Sequence, residues 1–155
     1  MQRFIAALAL LFLVQSASTM ATEATSPDSE KHYNSLKTKE LSVQFRDPVT
    51  DAPVVGSSIF EKGTSEIKCR KFGAVVPNPT YTYECYKKGH GEFSAEAKYA
   101  EMPVNEFRVI YSDAQTGRPR IGTKIFEKSD DSYLCQKISA VVPNPVPWYA
   151  CYQKI

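Results

Sequence analysis

From Leu41 onward the chain alternates. Leu41, Val43 and Phe45 are separated by polar residues, and Phe107, Val109 and Tyr111 repeat the pattern, which is the period of a half-buried strand. Turn-rich segments follow, DPVTDAP and SDAQTGRP, and then two strand segments, VVGSSIFEK and RIGTKIFEK. Short polar turns, GTSE and SDDS, lead into two further strands in each half, IKCRKF with TYTYECYK and YLCQKI with PWYACYQ. Between them lies VVPNP, whose two prolines cannot donate to a ladder, so it is predicted as a loop or a strand edge.

These similarities form one repeat. Displaced by 66 residues, positions 41–89 align without gaps on 107–155, and 21 of the 49 pairs are identical. The duplication predicts an all-β fold of two tandem four-stranded repeats, eight strands in total. A 49-residue unit buries little apolar surface alone, so both units are expected to share one core as a pseudo-twofold sandwich or barrel. Two side-by-side minidomains, each stapled by a disulfide, are the alternative. Residues 90–106 link the units. In that linker Phe93, Ala97 and Ala100 fit a short helix stopped by Pro103, and the Ala, Glu and Lys content favours helix over strand.

The amino terminus has the layout of a cleavable secretory signal over residues 1–21: Arg3, an apolar run from Phe4 to Val14, then small residues. The run is too short for a bilayer span, so no membrane insertion is expected after cleavage. Residues 22–40 are polar, lack a sustained period and read as a flexible leader. The expected location is extracellular, or periplasmic in a bacterium.

Cysteine usage agrees with export. Cys69, Cys85, Cys135 and Cys151 are all matched across the repeat; symmetry leaves pairing within repeats or between them, and pairing within repeats, 69 with 85 and 135 with 151, is favoured because each pair flanks a proline loop and would face its partner across two strands. No two cysteines are close enough for the usual zinc spacing, so no metal and no cofactor is expected.

Other chemistry is sparse. The formal charge of +2 lacks the basic field that nucleic acid demands, so no nucleic-acid partner is expected. His90, between two glycines, is the one imidazole inside the presumed fold, and no nucleophile motif accompanies it; no catalytic residue is assigned. Glu61 with Glu127 reads as solvated strand ends, and Lys68, Arg70 and Lys71 as a solvated strand face. The phrase D-x-x-T-x-x-P-x-x-G, at 47–56 and 113–122, resembles the strand-turn-strand of transthyretin-like and other Ig-like modules, over about ten residues. No functional residue is carried over from that resemblance.

The candidate contact residues are the loops Val75, Val76, Pro77, Asn78, Pro79 and Val141, Val142, Pro143, Asn144, Pro145, with the neighbouring aromatics Tyr81, Tyr83, Trp148 and Tyr149. Rigid loops lose little entropy on binding, and aromatics dominate interface energetics. The reading is a binding protein for an extracellular protein, in its sharpest form a peptidase inhibitor. A carbohydrate-binding or surface-coat protein using the aromatics as stacking platforms is the alternative, and a small secreted hydrolase is the third class.

Overall fold

The computed structural model describes residues 27–91 and 94–155. The signal segment, residues 1–21, lies outside them. Eight strands run in chain order: β1 (Leu41–Arg46), β2 (Ser57–Gly63), β3 (Ile67–Ala74), β4 (Tyr81–Lys88), β5 (Phe107–Asp113), β6 (Thr123–Ser129), β7 (Tyr133–Ala140) and β8 (Trp148–Lys154). They close into one antiparallel barrel in the order β1-β2-β3-β4-β8-β7-β6-β5. The halves meet twice, β1 against β5 and β4 against β8, so each repeat completes the sheet of the other and the minidomain arrangement does not occur. Closure leaves no free edge strand to template aggregation.

The alternation sorts side chains to two layers. Val43, Val109 and Tyr111 pack with Leu41, Phe45, Ile59 and Ile125 inside the barrel. The opposite face of the hairpins carries the disulfides, Cys69–Cys85 and Cys135–Cys151, each joining residues directly opposed across two strands. A helix covers each disulfide.

The second of these is the helix expected in the linker, α2 (Ala95–Glu101), which packs on β7 and β8. Ser94 caps it, its Oγ accepting from the Ala97 amide at 3.4 Å. Pro103 ends it by holding Met102 extended.

The other helix corrects the sequence reading. Part of the segment read as a flexible leader forms α1 (Pro27–Ser35), packed on β3 and β4. Tyr33, only 1% exposed, joins the Cys69–Cys85 cluster, edge-on to Tyr83 with ring centroids 5.4 Å apart. Its hydroxyl donates to Glu40 at 2.6 Å. Tyr99 in α2 makes the same contacts with Tyr149 and Glu106, also at 5.4 and 2.6 Å. The duplicated unit therefore starts before residue 41 and includes a helix.

Candidate functional site

Every neighbouring pair in the barrel is antiparallel, and three steps separate β3 from β7 (β3 to β4, β4 to β8, β8 to β7), so these two strands run in opposite directions. The VVPNP loops that follow them therefore leave from opposite ends of the barrel. The first loop shares its end with the β1–β2 loop, the second with the β5–β6 loop.

In both loops the asparagine takes a left-handed conformation, Asn78 at φ 53° and Asn144 at φ 52°, which asparagine tolerates better than most residues. The valines do not enter the core: Val75, Val76, Val141 and Val142 are all at least 55% exposed. Pro77, Asn78, Pro143, Asn144 and Pro145 are also exposed, and Pro79 is half-buried. Each loop thus stands on a disulfide-braced hairpin with its apolar side chains outward. The first loop is extended by exposed Val54 and Val55, which with Val75 border a groove of about 670 Å³ floored by Val43, Phe45 and Ile59. Val54 and Val55 carry no distinctive sequence signal, because an apolar pair beside a turn reads equally well as strand.

The aromatics divide. Trp148 is 50% exposed and Tyr81 37% exposed, both available at loop bases. Tyr81 lies over Gly73, where a Cβ would come within 2.7 Å of the ring. Tyr83 and Tyr149 instead pack half-buried beneath the helices and contribute to the scaffold.

The largest departure from the sequence reading lies inside the barrel. Glu61, Arg70 and Glu127, read as solvated, are each at most 3% exposed. Arg70 faces Glu127 with two parallel bonds, Nη1 to Oε1 at 2.6 Å and Nη2 to Oε2 at 2.8 Å, and donates from Nε to Glu61 at 2.9 Å. Lys68 donates to the other oxygen of Glu61 at 3.0 Å. Tyr111 donates to Glu61 at 3.0 Å, while Gln136 Nε2 lies 2.9 Å from both the Tyr111 hydroxyl and Glu127. Burial pushes the Glu61 carboxyl upward, but Arg70 and Lys68 outweigh it and hold the group below the usual carboxylate range. Burial likewise keeps the Tyr111 hydroxyl protonated well past the ordinary tyrosine range. The sequence signal was asymmetry: Glu61 and Glu127 are preserved between repeats, whereas Arg70 is answered by Gln136 and Lys68 by Leu134.

His90 is exposed and sits 2.7 Å from Glu66, which is also exposed. The D-x-x-T turns are built by local chemistry: Asp47 Oδ1 accepts from the Val49 and Thr50 amides and Asp113 Oδ1 from those of Gln115 and Thr116. Among the described residues no group of three His, Cys, Asp or Glu side chains gathers as metal ligands, and no helix is long and apolar enough to cross a membrane. Comparison with family models gives no match, and neither curated proteins nor solved structures give one.

Proposed function

We propose that the protein is an exported binding protein that presents its two VVPNP loops to an extracellular protein partner, the sharpest form being inhibition of a peptidase by a rigid loop. The observation that carries this reading is the outward-facing pair Val-Val on each disulfide-braced hairpin. Exposing four valines, two on each loop, brings no folding stability, since burial of apolar area is what stabilises. A stiff apolar loop does favour association, because little conformational freedom is lost when it docks.

The test uses the oxidised protein against a panel of extracellular peptidases and, in parallel, as bait in its native milieu with cross-linking to locate the contact. Pro77→Gly with Pro143→Gly should weaken binding far more than it lowers the melting temperature. Equal loss of both would assign the prolines to folding alone. Trp148, half exposed at the base of the second loop, favours a second reading, stacking on a sugar ring. Retention on a glycan array that disappears in Trp148→Ala would select it.

A further inference from the structure

One end of the barrel opens into a pocket of about 680 Å³, within the range of small-molecule sites. Its floor includes Glu61 and Lys68 of the interior network, and its rim is formed by the β5–β6 loop and the segment preceding β1. Four cations line it, Lys39, Lys68, Arg118 and Arg120, against two carboxylates, Glu61 and Asp113. Lys39 pairs with Asp113 and Lys68 with Glu61. The guanidinium groups of Arg118 and Arg120 are exposed and have no carboxylate partner among the described residues. Thr38 lines the same pocket, its Oγ1 buried and unpartnered among the described residues.

The duplication supplies an internal control. Displacement by 66 residues maps each cation onto the other end of the barrel: Lys39 on Asn105, Lys68 on Leu134, Arg118 on Ala52 and Arg120 on Val54. None of the four maps onto a charged residue, while the carboxylates Glu61 and Asp113 have counterparts in Glu127 and Asp47. The turn shared by both ends therefore forms without Arg118 and Arg120, whereas Lys39 and Lys68 also neutralise Asp113 and Glu61.

We propose that this mouth binds a small polyhydroxylated molecule bearing an oxyanion, a phosphate, sulfate or carboxylate. Arg118 and Arg120 receive the anionic group through paired N–H donors, whose fork matches such oxygens. The paired carboxylates retain lone pairs for ligand hydroxyls. The site shares a barrel end with the second VVPNP loop, but no residue of either loop lines it, and it does not rest on their role.

Titration calorimetry and thermal shift at matched ionic strength, with glucose 6-phosphate, glucose 6-sulfate, glucuronate and glucose as probes, test the site. At least one anionic probe should bind saturably at one site per chain and glucose should not; the ranking of the three identifies the head group. Arg118→Gln with Arg120→Gln should weaken binding by about tenfold or more, as loss of charged hydrogen bonds implies. Arg46→Gln with Lys31→Gln, which removes equal charge elsewhere, should leave it unchanged. Absence of saturable binding for all three anions, or undiminished binding in the double arginine variant, would overturn the proposal.

Discussion

At the scale of single residues, Arg70 has the most to lose. It is the only cation within hydrogen-bond reach of Glu127 among the described residues, so Arg70→Met strands a buried carboxylate. Breaking a buried pair from one side costs about 3–5 kcal/mol. Adding Glu127→Gln removes the stranded charge and leaves Glu61 with Lys68, so the double variant should be more stable than Arg70→Met alone. Urea denaturation of the two variants decides it, and equal stabilities would show that the carboxylate is not what makes the single change costly. The same groups set the pH response. Glu61 is held low despite its burial, and Asp113 is held low by Lys39 and by the Thr116 and Gln115 amides. Their contribution is complete above the unfolded carboxylate values, about 4, and is lost as pH falls through the folded ones. Burial raises Tyr33, Tyr86, Tyr99 and Tyr111, so ionisation of unfolded tyrosine above about pH 10 favours unfolding. The melting temperature should accordingly be flat between about pH 6 and 9 and fall on both sides; a steep change inside that window would contradict the assignment.

Individual elements show what could be read from the chain and what could not. The strands were legible because half-burial enforces period two, and the favoured cysteine pairing because each pair flanks a proline loop between two strands, which sets it against the pairing between repeats that symmetry also allows. Helix α1 was hidden because it buries few residues: of 28–35 only Ser29 and Tyr33 are buried, and apart from Tyr33 those positions are polar. Of positions 28–40, only Glu30, Tyr33 and Glu40 match their mates 66 residues on, too few to register as repeat beside the denser match that follows. The interior charges were misread for a related reason, since an alternating charged strand looks identical whether its polar face meets water or a neutralising partner. The valine loops were legible as segments, but their exposure and opposite placement required the barrel. Tyr33 tests the helix. Tyr33→Ala should cost about 3–5 kcal/mol, the range for emptying a buried aromatic site. Tyr33→Phe keeps the ring against Tyr83 and loses only the bond to Glu40, for about 1–3 kcal/mol. If α1 shields the disulfide, Tyr33→Ala should also accelerate reduction of Cys69–Cys85 while Cys135–Cys151 reacts as before, which peptide mapping after brief thiol treatment resolves.

For the whole molecule, the two seams decide whether the halves are interchangeable. Each half presents the same strands at both seams, β1 and β4 against β5 and β8, so backbone geometry alone would let either half pair with its own copy. The buried charges oppose this. The first half contributes Glu61, Lys68 and Arg70, an excess of one positive charge, and the second contributes Glu127, one negative, so the assembled interior is neutral. Two first halves would enclose two surplus cations, and two second halves would enclose two carboxylates without an arginine. Unpaired buried charge costs several kcal/mol per ion, more than a marginally stable dimer of such small units can absorb. Residues 27–91 and 94–155, produced separately in oxidised form, should therefore remain largely unassembled alone and combine one to one on mixing. Size-exclusion chromatography with light scattering gives the stoichiometry, and circular dichroism shows whether the barrel forms. Arg70→Gln in the first fragment makes its interior neutral, which relieves its own pairing and leaves Glu127 of the other fragment uncompensated. That change should shift the mixture from the mixed dimer toward copies of the first half, and a mixed dimer that persists unchanged would mean that shape, not charge, selects the partner.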